Sequence, residues 1–237
     1  MTHVHSSWRR HHLNNTIRVL CPLIENRIKD RVVSHWCEYD LRKELIGCIL
    51  GSQVRHEMAV AATENLEYAG LLDDACWLNR EDESFESRVL EVLTGQSEDL
   101  PHSGSYRFPL ARSKQLAQAR NVLARVPLAT RLAVDVSPKY LRTNLIADIP
   151  GLGPKQASMF LRNIGRSYDL AILDTHVLRF MDMQNLLCIK QTHIGTVKGY
   201  ESAEGIVINY ADSLGYPVGY LDWAIWATMK AAREIGL

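Results

Sequence analysis

Two residues of this chain carry side chains that could do covalent chemistry together. Lys155 directly follows the run Ile149-Pro150-Gly151-Leu152-Gly153-Pro154, and Asp174 lies nineteen residues later in Leu173-Asp174-Thr175-His176. An ordinary lysine is protonated and not nucleophilic. One that is desolvated near a helix N-terminus and basic neighbours gives up its proton more readily and can attack carbon. A surface lysine contacting phosphate is the plainer alternative. Asp174 sits where a helix N-cap belongs, a purely structural role. Facing an amine, its carboxylate could also stabilise positive charge developing on a sugar, or help to move protons. The two roles are compatible, because capping geometry fixes the side chain. The run before Lys155 adds a binding function. Glycines let a backbone turn sharply and approach a ligand closely, and N–H groups at the next helix start can hold a phosphate. A structural helix–helix turn is the alternative.

Helices must position these groups. Ser137-Pro138 pairs a capping hydroxyl with proline at the first helical position. Leu141, Leu145, Ile146 and Ile149 make one face of a helix that Pro150 stops. Past the hairpin, Ala157, Phe160, Leu161 and Ile164 follow the spacing of a buried stripe, while Lys155 and Met159 share another face one turn apart. Gly165 ends that helix. Leu170-Ala171-Ile172-Leu173 reads as a strand or a buried connector, and Asp174 caps a helix through Val177, Leu178 and Met181. Two helices follow, roughly Ser202 to Leu214, ended by Gly215, and Leu221 to Glu234. Upstream, residues 40–70 read as two helices broken at Gly51-Ser52-Gln53, with Asp40 as the first cap and Gly70 as the last stop. Glu81 to Ser105 reads as a surface helix and a long loop ended by Tyr106-Arg107-Phe108-Pro109, before a helix through Leu116, Ala119 and Leu123. From about Thr16 a helical stripe of Ile17, Leu20, Ile24 and Ile28 emerges. The first 15 residues are polar, and His3, His5, His11 and His12 fit a mobile terminus better than a metal site. The class is all-α.

The totals set limits. A chain of 237 residues can bury a substantial core in one domain or two small lobes. No apolar run is long enough to span a bilayer, and the polar start is no signal peptide. Five cysteines, scattered and without C-x-x-C spacing, suit reduced thiols in a cytoplasmic protein and argue against a zinc ribbon. Formal net charge is zero, yet residues 107–166 hold eleven bases against Asp135 and Asp148. Residues 81–100 hold seven acids against one base. The basic stretch reads as a phosphate footprint or as solvated helix faces.

Ile149 to Lys155 and Leu173 to Arg179 resemble the helix-hairpin-helix, Gly/Pro-rich-loop and aspartate (HhH-GPD) superfamily of DNA glycosylases. Among its branches the chain looks most like the archaeal-type 8-oxoguanine DNA glycosylase/AP lyases. The features are Lys155-Gln156-Ala157-Ser158 leading into Phe160-Leu161-Arg162-Asn163, then Ala171-Ile172-Leu173-Asp174, with Tyr106-Arg107-Phe108-Pro109 upstream. The resemblance runs from about Asp40 to the last helix. It implies two packed helical lobes with the active site in the cleft between them, a glycosylase domain over 31–237 and a helix-hairpin-helix at about 137–165, and it leaves residues 1–30 as an N-terminal extension with no clear counterpart in the family. It implies a bifunctional enzyme that flips 8-oxoguanine out of double-stranded DNA, attacks the sugar C1′ with Lys155, stabilises the cationic sugar with Asp174 and nicks the strand by β-elimination. Gly151, Gly153 and His176 would hold the DNA backbone. No cofactor, metal or membrane is called for.

For the base, the resemblance points to Met159 on one face and Trp226 on the other, to Asp222 as an acceptor for a purine N–H, and to Gln53 as a reader of the base or filler of the vacated stack. Each also has a plain core or surface reading. Three departures stand out. Met159 is not the usual residue one turn after the lysine. The chain ends in Ile235-Gly236-Leu237 without the terminal lysine of some relatives, and no four-cysteine cluster follows Asp174, so an iron–sulfur centre is absent from the pattern. The same chemistry on another modified base, one in foreign DNA among the options, is one alternative; a non-catalytic DNA-binding module is another.

Overall fold

The computed structural model describes residues 2–29 (side chains from His11), 36–79, 84–96, 100–188 and 194–234. The side chains of His3 and His5, the acids Glu81–Glu83, Glu98 and Asp99, and the terminal Ile235-Gly236-Leu237 lie outside the described residues. Among the described residues every regular element is a helix, and there are twelve. They group into two compact units. A terminal unit joins residues 1–34 to 167–237, and a central unit comprises residues 35–166.

The central unit contains α2 (Glu38–Leu50), α3 (His56–Tyr68), α4 (Asp74–Leu78), α5 (Phe85–Thr94), α6 (Pro109–Leu123), α7 (Leu128–Leu132), α8 (Pro138–Asp148) and α9 (Pro154–Asn163). Helix α2 lies at its heart, packed on α3, α6, α7 and α9. Its apolar stripe (Leu41, Leu45, Ile46 and Ile49) is buried, as the periodicity requires. The cap of α2 corrects the sequence reading by one turn. Cys37 is the N-cap, and Asp40 stands at the third helical position, reaching back to the Cys37 N–H (3.2 Å) and thiol (3.0 Å). At the end of α3, Gly70 takes φ +68° and the Leu71 N–H reaches the Leu66 carbonyl. The helices α4 and α7, five residues each, are too short to show a period and leave no mark in the sequence pattern.

The basic stretch is only partly a surface. Arg112, Arg120 and Arg142 are buried, and Arg131 pairs with Asp148. Arg166 donates to the carbonyls of Leu132 and Val134. Lys114, Arg125 and Lys139 are exposed. A count of charges along the chain therefore overstates the phosphate footprint, because long guanidinium stems also serve as core packing and carbonyl ligands.

The terminal unit contains α1 (Thr2–Lys29), α10 (Thr175–Met183), α11 (Val197–Leu214) and α12 (Val218–Glu234). Helix α1 begins well before Thr16, where the stripe starts, and runs through Pro22. Ile17 and Cys21 are buried in one cluster with Phe180, Val207, Leu221 and Ile225. Asn14 bonds Gln184 and receives the Tyr210 hydroxyl. Helices α11 and α12 start earlier than their stripes suggest, α11 at a Thr196 cap that accepts from the Gly199 N–H. No helix among the described residues is long and apolar enough to cross a membrane.

Candidate functional site

In the central unit, α8, the hairpin and α9 form a helix-hairpin-helix. Ser137 caps α8 by accepting from the Tyr140 N–H, and buried Ile149 closes it. Gly151 then turns at φ +92°; a β-carbon there would lie 3.0 Å from Ile49 Cγ2 and 3.1 Å from Gln115 Oε1. Both conformation and space disfavour a side chain. Gly153 is the extended N-cap of α9, Pro154 its first residue and Lys155 its second. Its N-cap Gly153 offers no side chain to the leading N–H groups, which lie at the positive end of the helix dipole. Two polar links hold the motif, the first buried and the second half-buried. Arg142 of α8 donates to Ser158 Oγ of α9 (3.1 Å), and Glu44 of α2 accepts from Asn163 (2.7 Å). Ala157, Phe160 and Leu161 are buried on the far face, leaving Lys155 and Met159 half-buried on theirs. Burial pushes the Cys48 thiol well above its ordinary pKa and Glu44 adds to this, while the charges of Arg162 and Lys155 act in the opposite direction. The lysine is thus within electrostatic reach of α2.

The end of α2 makes a second turn in this unit. Gln53 is exposed and takes φ +62°, unusual for a residue with a side chain. The backbone of this turn is held from the segment leading into α6 and from the first turn of α6 itself. Tyr106 donates to the Leu50 carbonyl (2.6 Å), Arg112 to that of Ser52 (3.3 Å) and Arg107 to that of Gln53 (3.1 Å). Burial raises the Tyr106 pKa, which keeps the phenol a donor. Arg112 also donates to Gln115 Oε1 (2.6 Å), the atom that crowds Gly151. Met159 Cε would lie 3.7 Å from a β-carbon on Gly51. One buried arginine therefore links the Gln53 turn to the hairpin. Nothing in the spacing of Arg112 or Gln115 signals this; only the Tyr106-Arg107-Phe108-Pro109 run hinted at it.

In the terminal unit, Asp174 is the N-cap of α10. Its Oδ1 accepts from the N–H groups of His176 (2.9 Å) and Val177 (2.8 Å), and the residue is half-buried. The preceding residues 170–173 are buried and form no strand; they are the connector alternative of the sequence reading. Their backbone bonds go to side chains. Ala171 N–H meets Glu204 (3.0 Å), Ile172 N–H meets Asp222 Oδ2 (2.8 Å), and Leu173 N–H meets the Tyr200 hydroxyl (3.0 Å), which itself donates to the Ala171 carbonyl (2.8 Å). Of the candidate base contacts, Asp222 is thus fully buried with one oxygen on the backbone. Trp226 is half-buried, with the Lys230 ammonium 5.0 Å from its ring centre. His176 is half-buried, its N–H spent on the cap. Tyr200 and Glu204 escaped the sequence reading, because a tyrosine and a glutamate within a helical pattern carry no local mark.

An all-α chain with a glycine hairpin between two packed helices, a lysine in the first turn beyond it and an aspartate capping a later helix has the architecture of the helix-hairpin-helix DNA glycosylases. The chain belongs to the 8-oxoguanine DNA glycosylase family, whose sequence profile matches residues 24–216. It is 30% identical over 218 residues to the 8-oxoguanine DNA glycosylase/AP lyase of Sulfurisphaera tokodaii, covering 88% of this chain and 96% of that one. The crystal structure of the 8-oxoguanine DNA glycosylase of Thermotoga maritima superposes with a TM-score of 0.68 at 26% identity, covering 94% and 96% of the two chains. The Methanocaldococcus jannaschii 8-oxoguanine glycosylase/lyase, solved with a 15mer DNA containing 8-oxoguanine, shares the fold at 22% identity and a TM-score of 0.65, covering 89% and 90%.

Proposed function

We propose that this protein excises 8-oxoguanine from double-stranded DNA and then cleaves the abasic strand, acting in the cytoplasm as a bifunctional glycosylase and lyase. The observation that carries the reading is the position of Lys155. It stands in the first turn of a helix with no side-chain cap, directly after a hairpin whose Gly151 has a positive φ and little room for a side chain, within the span that matches the family. The N–H groups of the hairpin and α9, with Gly151, Gly153 and His176, grip backbone phosphates beside the target.

The nucleotide is flipped from the stack. The Lys155 amine attacks C1′; the C1′–N bond to the base breaks and the base departs with a proton. Asp174 faces the cationic sugar and lowers the energy of that charge. The new C1′–N bond becomes an imine as the ring oxygen leaves. Loss of a C2′ proton then expels the 3′ phosphate, which nicks the strand. Met159 and Trp226 pack on the flipped base and Gln53 serves the vacated stack, whereas Asp222, 1% exposed and bonded to the Ile172 N–H, stays with the connector instead of meeting the base edge.

Borohydride trapping on duplexes with one 8-oxoguanine, one abasic site or no lesion tests this. A covalent adduct on 8-oxoguanine that disappears in Lys155→Gln is the expected result. An adduct confined to the abasic duplex would move the substrate to another modified base. No adduct on either would remove the lyase mechanism and leave a binding role.

A further inference from the structure

The segment that delivers Asp174 is held in an unusual way. Four consecutive backbone N–H groups, those of residues 171–174, are all satisfied, yet none belongs to a helix or a strand. Asp174 donates back to the Ile172 carbonyl at 2.8 Å. The other three N–H groups end on Glu204 and Tyr200 of α11 and on Asp222 of α12, side chains 3%, 1% and 1% exposed. Burying two carboxylates is costly unless they are well bonded. An apolar connector could have been satisfied more cheaply by one more turn of helix or by a strand partner. The one position fixed by this arrangement is that of Asp174, whose Oδ1 is already committed to the α10 cap.

We infer that Tyr200 and Glu204, with Asp222, are positioning residues for Asp174: they clamp residues 171–173 so that its carboxylate is presented in one place. Tyr200 matters most, because its hydroxyl spans the segment, donating to the Ala171 carbonyl and accepting from the Leu173 N–H. The inference rests on the assignment of Asp174 to the sugar charge. A carboxylate displaced by a fraction of an ångström still caps a helix but no longer meets a developing cation in line.

Single-turnover excision, duplex affinity and backbone hydrogen exchange should be measured on the full chain for wild type, Tyr200→Phe, Glu204→Leu and Glu204→Gln. Glutamine keeps an oxygen that can accept from the Ala171 N–H, so it serves as the conservative rescue. Tyr200→Phe and Glu204→Leu should slow excision by about ten-fold or more with affinity little changed, as expected for lost positioning. Glu204→Gln should stay near wild type. Exchange should quicken at residues 171–174 and stay unchanged at Phe180 in the α10 core. Quickened exchange with undiminished excision would reduce the clamp to scaffolding and overturn the inference. Equal quickening at Phe180, or slowed excision with residues 171–174 still protected, would overturn it as well. A wild-type chain inert on 8-oxoguanine would instead count against the proposed substrate; the same variants compared by trapping rate on an abasic duplex then decide the clamp separately.

Discussion

The hairpin of residues 149–153 and the connector of residues 170–174 meet one requirement by opposite means. Each is a short non-helical piece that sets a side chain of the proposed site at a helix start, Lys155 at α9 and Asp174 at α10. The hairpin is fixed by what it lacks: Gly151 fits against Ile49 and Gln115 because it has no side chain. The connector is fixed by what comes to it, three polar side chains from α11 and α12. A turn defined by missing atoms tolerates no addition, whereas a segment defined by remote ligands tolerates no subtraction.

Four changes would break or sharpen this contrast. Lys155→Gln has the largest effect. Adduct trapping falls to background, while duplex affinity changes by about 1 kcal/mol, the scale of one exposed charge contact. Asp174→Asn follows. Asparagine caps as well as aspartate, so thermal unfolding barely moves, while single-turnover excision drops by about a hundred-fold or more. Matching losses of stability and rate would mean that Asp174 is a cap and nothing more. Gly151→Ala should cost about 1–3 kcal/mol in urea unfolding, through a β-carbon forced into a positive-φ turn and a filled space. Duplex affinity should fall with it; an unchanged midpoint would show that the hairpin is not held by its bareness. The smallest effect is expected at Glu67 of α3, a purely structural carboxylate. Lys43 chiefly, and Tyr39 next, hold its pKa below the usual carboxylate range. A depressed folded-state pKa gives stability that is present above the unfolded pKa and lost as pH falls through the folded one. Glu67→Gln should therefore flatten the acid limb of stability by about 0.2–1 kcal/mol and leave excision untouched.

The contrast also explains what could be read from the chain. The hairpin, the Ser137 and Asp174 caps, and the buried face of α9 are local, written in residues one to seven apart, and the structure has each of them. The clamp is not local: Tyr200 lies 27 residues from Leu173, and Asp222 lies 50 from Ile172. Neither helix shows at those positions anything but an ordinary pattern. Arg112 is hidden for the same reason, its partner Ser52 being 60 residues away. Charge counting failed in the other direction, since Arg120 and Arg142 look like solvated bases until burial is known. Short α4 and α7 were invisible because five residues cannot display a 3.6-residue period.

Helix α1 belongs to a unit whose remaining helices are made only after the central unit. Its closest partner, α12, begins at Val218, and residues 35–166 of the central unit are translated in between. At a synthesis rate of about 5–20 residues per second, α1 waits roughly 10–40 s before its docking surface exists. During that interval Ile17 and Cys21 have no core to enter. Cys21 can report the wait: burial raises its pKa to about 11, so the docked thiol resists alkylation. A nascent chain halted before α12 should label readily at Cys21, and the released protein should not.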